Sequence, residues 1–498
     1  MTARAVMVLG CTSDAGKSWL ATALCRWYAR QGLVVRPFKA QNMSNHARVV
    51  PLLDGTAGEI GSAQYFQALA ARARPDPRMN PVLLKPESHT RSQVVLMGQV
   101  RPDLGAMPWR ERSALLWPTA QAALRSLQSD CDVLVIEGAG SPAEINLAAD
   151  DFVNTGTALA SQAACLLVSD IDRGGSFAHL YGTHALMDAQ VRAQVRGFVL
   201  NRFRGDARLL APGPELLQQR TGVPTLAVIP LLRNHGLPEE DAVPDDNPAQ
   251  ADATGMLDSP RVVVLATPHA SNLDEFEPLR AAGLALQFSR DAAVLARADW
   301  LILPGSKHSR ADAAWVIAQG LAPLIQAHVA AHRPLLAVCG GLQWLGETLD
   351  DPLGLDGGQP GQDRGLGLLP LRTRFLPAKQ LRRAQHRLGA LTGAWAPLAG
   401  QRVDGYEIHL GHSQPAPAAS AGGAAAALLP AVPSAPGLGW QAGPVLAIYL
   451  HGLFENPAVV MALFGRRPPP LDAVFDRLAD CIDQHFVPGA LMSLLEPK

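Results

Sequence analysis

Cysteine is scarce in this chain of 498 residues: there are six, and no two form a Cys-x-x-Cys pair. This argues against a disulfide framework and a structural zinc site. No run of about 18 consecutive apolar residues occurs, which argues against a membrane span. Basic residues are not in excess either, since 43 Lys and Arg stand against 44 Asp and Glu. The balance argues against a nucleic-acid partner.

Apolar strand-like segments alternate with helix-like segments in two parts of the chain. In the first part, residues 17–31 are typical of an amphipathic helix and follow a strand-like segment at 5–9. Short strands separated by helices predict an α/β fold with a doubly wound parallel sheet. The further strand-like segments are 33–38, 132–136, 165–169, 197–200 and 225–229, then 261–266, 300–303, 335–338 and 445–450.

A change of composition separates the two parts. Residues 235–260 are acidic and rich in proline, which predicts a linker. We therefore expect domains at 1–234 and 261–456, followed by a helical C-terminal tail at 457–498. Residues 414–437 are rich in Ala, Pro and Gly and are interpreted as a surface loop. The apolar segment at 5–9 is too short for a signal peptide, so we expect a cytoplasmic protein, and a homo-oligomer stays open.

A phosphate-binding loop is predicted where the first strand meets the first helix. The segment GCTSDAGKS at 10–18 places Lys17 and Ser18 at the helix start. Backbone N–H groups there bind phosphates, Lys17 would reach the β- and γ-phosphates, and Ser18 would bind Mg²⁺. The alternative is an ordinary strand–turn–helix with a chance GKS. The predicted ATP-binding residues of this loop are Thr12, Ser13, Asp14, Ala15, Gly16, Lys17 and Ser18.

An acidic residue follows another predicted strand of the same sheet. The strand at 132–136 ends at Glu137. A carboxylate at the carboxyl end of a strand beside a phosphate loop is typical of a Walker B residue. Glu137 is therefore a candidate Mg²⁺ ligand, directly or through water. A carboxylate that caps the next turn is the alternative.

In the second part, a cysteine stands between a predicted strand and a helix. Cys339 is followed by Gly340 and Gly341, as expected of a nucleophile exposed on a tight strand-to-helix turn. A helix N-terminus favours the thiolate, and the N–H of Gly340 would help form an oxyanion hole. His451 ends a later strand and would act as the base. A buried structural cysteine is the alternative.

Motifs spread over nearly the whole chain resemble the cobyric acid synthase family. Its N-terminal half would be a P-loop domain similar to dethiobiotin synthetase, and its C-terminal half a class I glutamine amidotransferase-like α/β domain. The matching segments are GCTSDAGKS at 10–18, KAQNM at 39–43, EIGSAQ at 59–64, NPVLLKP at 80–86, IEGAGSPAEINL at 136–147, DIDRGG at 170–175, NRFRGD at 201–206, LPGSK at 303–307, CGG at 339–341, GYEIH at 405–409 and YLHG at 449–452.

The resemblance implies a reaction and its co-substrates. The C-terminal domain would release ammonia from glutamine through a Cys339 thioester. The N-terminal domain would use ATP and Mg²⁺ to phosphorylate the b, d, e and g carboxylates of adenosylcobyrinic acid a,c-diamide, a corrinoid. Ammonia would then displace phosphate and leave an amide.

The resemblance also implies further site residues. Glu59 would be a second Mg²⁺ ligand and Asn201 would contact adenine, both by analogy with dethiobiotin synthetase. Gly305 would add an oxyanion-hole N–H, and Gln343 would line the glutamine pocket. The candidates for binding the corrinoid or the acyl phosphate are Gln41, Asn42, Asp172 and Arg173. The alternative is that these four residues are only polar caps and turn residues.

One departure from many class I glutaminases leaves a question open. They carry a His-x-Glu element, but Leu453 stands two residues after His451, and Glu455 has the wrong spacing.

The alternatives to a cobyric acid synthase are a cobyrinic acid a,c-diamide synthase, another glutamine-dependent amidoligase, or a partitioning-type ATPase. The last would make no use of Cys339 and usually has a second lysine early in the loop.

Overall fold

The structure is a computed structural model and describes residues 3–52, 54–87, 91–105, 107–238, 259–417 and 428–497. The chain forms two compact units, one of Met1–Asp241 with Pro470–Lys498 and one of Ala242–Pro469. Most of the predicted linker, residues 239–258, lies outside the described residues. The same holds for residues 418–427 of the predicted surface loop.

The first unit contains a six-stranded, entirely parallel sheet. The strands of the unit are β1 (Arg4–Gly10), β2 (Val35–Phe38), β3 (Gln41–Met43), β4 (Ala47–Pro51), β5 (Ala57–Gly61), β6 (Val82–Pro86), β7 (Ser92–Leu96), β8 (Gln99–Val100), β9 (Val133–Glu137), β10 (Ala164–Asp170), β11 (Val195–Phe203) and β12 (Thr225–Pro230). The strand order is β12-β11-β10-β1-β9-β2. Because these strands run in one direction, the segments that follow β1, β2, β9, β10 and β11 meet at one edge of the sheet.

Two smaller sheets stand beside it in the same unit. One has the order β3-β6-β7-β8, and the other pairs β4 with β5. Gln41 and Asn42 lie on β3, Glu59 on β5 and Lys85 on β6. The helices of the unit up to this point are α1 (Lys17–Arg30), α2 (Ser62–Ala70), α3 (Pro102–Gly105), α4 (Trp109–Ser129), α5 (Thr157–Ser161), α6 (Ser176–Leu186), α7 (Ala189–Arg192) and α8 (Gly213–Thr221).

The second unit is a separate α/β domain with a mixed seven-stranded sheet. Its strands are β13 (Arg261–Leu265), β14 (Ala270–Ser271), β15 (Ala285–Ser289), β16 (Trp300–Leu303), β17 (Gly305–Ser306), β18 (Leu335–Val338), β19 (Thr348–Asp351), β20 (Gly361–Arg364), β21 (Leu371–Arg387), β22 (Arg402–Pro415), β23 (Leu429–Pro430), β24 (Gly439–Ala442) and β25 (Val445–Ile448). The sheet order is β15-β13-β16-β18-β25-β24-β23, with β15 to β25 parallel and the last two strands antiparallel. Cys339 follows β18 and His451 follows its neighbour β25, so parallel pairing brings both to one edge.

Two smaller sheets and six helices complete the second unit as described. The pair β14–β17 is antiparallel, and a four-stranded sheet has the order β20-β19-β21-β22. In the described chain no single helix has the length and apolar composition of a membrane span. The two helices Ser309–Ala318 and Ala322–Ala330 meet both criteria only when taken together, and they are bent by 88°. The helices are α9 (Glu277–Ala281), α10 (Ala292–Ala296), α11 (Ser309–Ala318), α12 (Ala322–Ala330), α13 (Gly340–Leu345) and α14 (Pro457–Phe464).

The C-terminal segment divides between the units instead of forming a separate tail. Helix α14 belongs to the second unit, whereas α15 (Leu471–His485) and α16 (Ala490–Ser493) belong to the first. Helix α15 packs on α1 because one face of it is apolar, and the contact is reinforced by hydrogen bonds. Trp27 Nε1 donates to Asp483 at 2.8 Å, and Tyr28 OH donates to the carbonyl of Leu491 at 2.7 Å.

Candidate active sites

The loop between β1 and α1 is shaped by two glycines. Gly16 adopts a φ of 90°, and a Cβ there would lie 2.0 Å from Nδ2 of Asn201. A Cβ on Gly10 would lie 2.8 Å from Nζ of Lys17. The amide of Asn201 donates to the carbonyl of Ala15 at 3.0 Å, so this side chain braces the loop. Both glycine positions therefore exclude larger residues.

Lys17 folds over the same loop. Its ammonium donates to the carbonyl oxygens of Thr12 at 2.9 Å and Gly140 at 3.2 Å, and the side chain is buried. Thr12 and Ser13 at the start of the loop are exposed. The loop thus combines a buried cation with exposed residues, which suits a bound phosphate.

Two of the predicted substrate candidates lie beside this loop in ion pairs. Arg173 lies 3.5 Å from Asp14 and 3.5 Å from Asp170. Asp172 pairs with Arg204, and its own N–H donates to Asp170 at 2.8 Å. Asp172 and Arg173 are largely exposed. The pairs place both signs of charge at the edge where β10 and β11 end.

Glu137 is the centre of the buried polar cluster beside the loop. The Ser18 hydroxyl donates to its Oε1 at 2.8 Å, and the Lys39 ammonium lies 2.7 Å from the same atom. The amides of Gln64 and Gln67, one turn apart on α2, donate to Oε2 at 3.3 and 2.5 Å. Both carboxylate oxygens are thus engaged.

These contacts decide the protonation of Glu137. Burial alone would raise the pKa of the carboxyl group, because desolvation disfavours the charged form. The Lys39 ammonium and the hydrogen bonds from Lys39, Ser18 and Gln67 outweigh burial and hold the Glu137 pKa below its usual range. The carboxylate is therefore ionised at neutral pH.

The remaining predicted residues of this half lie on the two small sheets. Glu59 is fully buried and forms an ion pair with Lys85. Asn42 is buried and Gln41 half-buried on β3. A Cβ on Gly61 would lie 2.5 Å from Nδ2 of Asn42, so Asn42 packs tightly at the end of β5. The Glu59 carboxylate thus has a cation partner of its own.

The turn at Cys339, the predicted nucleophile, has a strained backbone. Cys339 has φ 50° and ψ −105°, a conformation that a residue with a side chain rarely adopts. A Cβ on Gly340 would lie 2.6 Å from the backbone N of Ser306, and one on Gly341 would lie 2.3 Å from the carbonyl of Leu303. The turn therefore needs glycine at both positions after the cysteine.

His451 is surrounded by specific contacts. Its side chain interacts electrostatically with that of Cys339, and its Nδ1 lies 2.8 Å from Oε1 of Glu275. The other oxygen of Glu275 accepts the N–H of Gly452 at 2.7 Å. The Tyr406 ring stacks on the imidazole with centroids 5.2 Å apart. The sequence left the partner of His451 open, and the structure places Glu275 there.

The same contacts control the charge of His451. Burial alone would lower its pKa. The negative charge of Glu275 and the interaction with Cys339 outweigh burial and raise the pKa of His451 to about 10. The site thus favours a protonated imidazole beside the sulfur, as a thiolate–imidazolium pair requires.

Gly305 and Gln343, predicted for the oxyanion hole and the glutamine pocket, lie around the same centre. A Cβ on Gly305 would lie 2.8 Å from Cε1 of His451. The Oε1 of Gln343 accepts the Ser309 hydroxyl at 2.6 Å, and a Cβ on Gly411 would lie 2.5 Å from its Nε2. The structure brings Gly305, Gly340, Cys339 and His451 together, with Gln343 held close to β22.

Among the residues of these clusters that were assigned no role from the sequence are Lys39, Gln64, Gln67, Lys85, Glu275 and Tyr406. Lys39 and Tyr406 stand inside family-like motifs, which was a signal for their importance but not for their contacts. Gln67 follows the EIGSAQ segment at helical spacing from Gln64. Glu275 had no sequence signal, since it stands in SNLDEFEP at 271–278 among other acidic residues.

Two family models match the chain, one in each unit. Residues 6–241 match the CobQ/CobB/MinD/ParA nucleotide binding domain, and residues 261–459 match the CobB/CobQ-like glutamine amidotransferase domain. A nucleotide-binding domain joined to a glutamine amidotransferase domain is the composition of a glutamine-dependent amidoligase.

Curated relatives identify the family. The cobyric acid synthase of Methylibium petroleiphilum is 61% identical over 99% of this chain and 97% of its own length. That of Leptothrix cholodnii is 60% identical over 100% of this chain and 98% of its own length. The chain belongs to the cobyric acid synthase family.

Proposed function

We propose that the chain converts adenosylcobyrinic acid a,c-diamide into adenosylcobyric acid. It would amidate the b, d, e and g carboxylates with ammonia from glutamine at the expense of ATP. The proposal rests on two groups of side chains in this chain, Lys17–Ser18–Glu137 as the first centre and Cys339–His451 as the second. It rests equally on the 61% identity between this chain and a cobyric acid synthase.

Ammonia release follows from the second centre. The Cys339 thiolate attacks the side-chain carbonyl carbon of glutamine, and the N–H groups of Gly305 and Gly340 stabilise the oxyanion. The C–N bond then breaks, and the proton on His451 passes to the leaving nitrogen. Water hydrolyses the thioester and releases glutamate. Gln343 would line the pocket that orients glutamine.

Activation of the carboxylate is assigned to the first centre. Residues 12–18 would hold the ATP phosphates, with Lys17 reaching the β- and γ-phosphates and Asn201 contacting adenine. The substrate carboxylate attacks the γ-phosphorus, the bond to the ADP oxygen breaks, and an acyl phosphate forms. Ammonia then adds to the acyl carbon and phosphate leaves. The candidates for holding the corrinoid or the acyl phosphate are Gln41, Asn42, Asp172 and Arg173.

Mg²⁺ fits the residues at Glu137. The Ser18 hydroxyl and the ionised carboxylate are hard oxygen donors 2.8 Å apart, the donor type that Mg²⁺ prefers beside phosphates. When bound, Mg²⁺ supplies positive charge to the phosphate oxygens. Glu59 is the proposed second ligand, although its carboxylate pairs with Lys85. Cytoplasmic location and a homo-oligomer remain expectations.

Mass spectrometry of the corrinoid tests the proposal. Wild-type protein with ATP, Mg²⁺ and glutamine should convert up to four carboxyl groups into amides, each with a loss of about one mass unit. The Cys339→Ala variant should do so with ammonium but not with glutamine, and Lys17→Ala should do so with neither.

The outcomes separate the alternatives. Glutamine hydrolysis with no change in this corrinoid would contradict the substrate and favour a different amidoligase. A folded protein with neither glutamine hydrolysis nor ammonium-dependent amidation would contradict both centres.

A further inference from the structure

We propose that Glu275 is the positioning residue that completes a Cys339–His451–Glu275 triad. The proposal rests on the glutaminase half of the proposed function. In chain order the carboxylate comes first, 176 residues before the histidine, instead of two residues after it.

The first argument is the engagement of both carboxylate oxygens. Oε1 lies 2.8 Å from Nδ1 of His451, and Oε2 accepts the N–H of Gly452 at 2.7 Å. Because a carboxylate only accepts, Nδ1 must carry a proton, which leaves Nε2 for Cys339. The Gly452 contact fixes the carboxylate relative to the backbone that bears the histidine. Glu275 therefore sets both the tautomer and the orientation of the ring.

Burial makes this contact energetically significant. Glu275 and His451 are each about 1% exposed. An ion pair shielded from water is screened little, and loss of one partner would strand a buried charge. The carboxylate also stabilises the imidazolium that forms when the S–H bond of Cys339 breaks and the N–H bond at Nε2 forms.

The two remaining sides of the imidazole are closed as well. The Tyr406 ring stacks on its face with planes 16° apart, and Gly305 approaches Cε1 so closely that a Cβ would lie 2.8 Å away. Rotation of His451 is therefore resisted by Tyr406 and Gly305, while Glu275 selects the productive orientation.

The segment that carries Glu275 is anchored to β17, the strand that contains Gly305. Glu275 lies in the short 3₁₀ helix Leu273–Phe276, which directly follows β14, and β14 pairs with β17 at Gly305. The fully buried Asp312 joins β17 to the segment that precedes β14. It accepts the Thr267 hydroxyl at 2.7 Å and the Ser306 hydroxyl at 2.6 Å. One anchored loop thus supplies the carboxylate and supports the predicted oxyanion N–H.

Many class I glutaminases carry this carboxylate two residues after the histidine, and that position is unsuitable in this chain. Leu453, two residues after His451, is buried in the core, and Glu455 is exposed. Glu455 approaches Gly452, where a Cβ would lie 3.3 Å from its Oε2, but the N–H of Gly452 is already donated to Glu275. Glu455 is therefore a matched control carboxylate on the same turn.

The experiment compares Glu275→Gln with Glu455→Gln in the full chain. Glutamine has a single oxygen acceptor, so it cannot satisfy Nδ1 and the Gly452 N–H as a carboxylate does. In Glu275→Gln we expect kcat for glutamine hydrolysis to fall about 100- to 10,000-fold with little change in KM. Alkylation of Cys339 by iodoacetamide, followed on its own peptide by mass spectrometry, should shift to higher pH, because loss of the carboxylate disfavours the imidazolium. Glu275→Asp should regain part of kcat, and Glu455→Gln should match the wild type.

Several results would overturn the proposal. One is a kcat in Glu275→Gln within about threefold of wild type. Others are an unchanged pH dependence of Cys339 alkylation, or an equal loss in Glu455→Gln. Calorimetric binding of glutamine by Glu275→Gln checks that the second unit is folded. If wild-type protein hydrolyses no glutamine, the proposed function fails before Glu275 is tested, so the two failures are distinguishable.

Discussion

Replacing Lys39 by methionine should destabilise the first unit through a single buried charge. The side chains have similar volume, but methionine removes the ammonium 2.7 Å from Oε1 of Glu137. The Glu137 side chain is about 1% exposed, so water cannot replace that cation. Breaking a buried ion pair from one side typically costs about 3–5 kcal/mol.

The hydrogen bonds that Glu137 keeps in Lys39→Met place the expected loss of stability near the lower end of this range. Ser18, Gln64 and Gln67 still donate hydrogen bonds to the carboxylate, and hydrogen bonds to charged groups contribute about 1.5–3 kcal/mol each. We therefore expect a loss of about 3 kcal/mol at pH 7, a large part of an ordinary stability of about 5–15 kcal/mol.

The loss should depend on pH with a defined sign. In the wild type the Glu137 pKa is lowered, so its contribution is present above the unfolded carboxyl pKa and lost as pH falls. Without Lys39, burial raises the Glu137 pKa, and protonation relieves the buried charge at low pH. The stability difference between Lys39→Met and wild type should therefore grow as pH rises from about 4 to 7.

Urea unfolding at several pH values measures this difference. Glutamine hydrolysis should be retained, since Cys339 lies in the other unit. The double variant Lys39→Met/Glu137→Gln removes both charges and should recover most of the lost stability. A single variant as stable as wild type, or a loss that shrinks as pH rises, would refute the reasoning.

Three further predictions concern close contacts. Gly340→Ala places a Cβ 2.6 Å from the N of Ser306 and should abolish glutamine hydrolysis while ammonium-dependent amidation persists; equal loss of both would contradict it. Gly16→Ala should abolish ATP-dependent amidation but not glutamine hydrolysis, because alanine disfavours a φ of 90°; ATP binding measured by calorimetry checks this. Tyr28→Phe removes the hydrogen bond to the Leu491 carbonyl and should cost about 1–3 kcal/mol, so an unchanged urea midpoint would contradict the docking of the C-terminal segment.

The sequence was sufficient for features that depend on neighbours in the chain. The fold class is confirmed, because apolar strands at regular spacing produce parallel sheets in both units. The helix predicted at 17–31 is observed at Lys17–Arg30, since its apolar face and its start after Gly16 are local properties. The turn at Cys339 was likewise visible from the two glycines that follow it.

Contacts between distant segments were not visible. Trp27 meets Asp483 across 456 positions, and nothing near either residue specifies the other, so the terminal residues were assigned to a tail. Glu275 is one of several acidic residues in its segment, and tertiary contacts that include the pairing of β14 with β17 bring it to His451. Such choices depend on which faces pack together, which periodicity alone does not encode.

The buried carboxylates of Glu137 and Glu275 differ in the group that balances their charge, and this difference fits their proposed tasks. Glu137 is paired with a lysine, whose ordinary pKa of about 10.4 keeps it charged at neutral pH, so the pair is a static arrangement suited to holding a metal–phosphate complex. Glu275 is paired with a histidine, which can accept and return a proton in each turnover. A lysine at position 451 would preserve the ion pair but not the proton transfer. The identity of the cation, more than the presence of the carboxylate, therefore separates a binding site from a proton-transfer site in this chain.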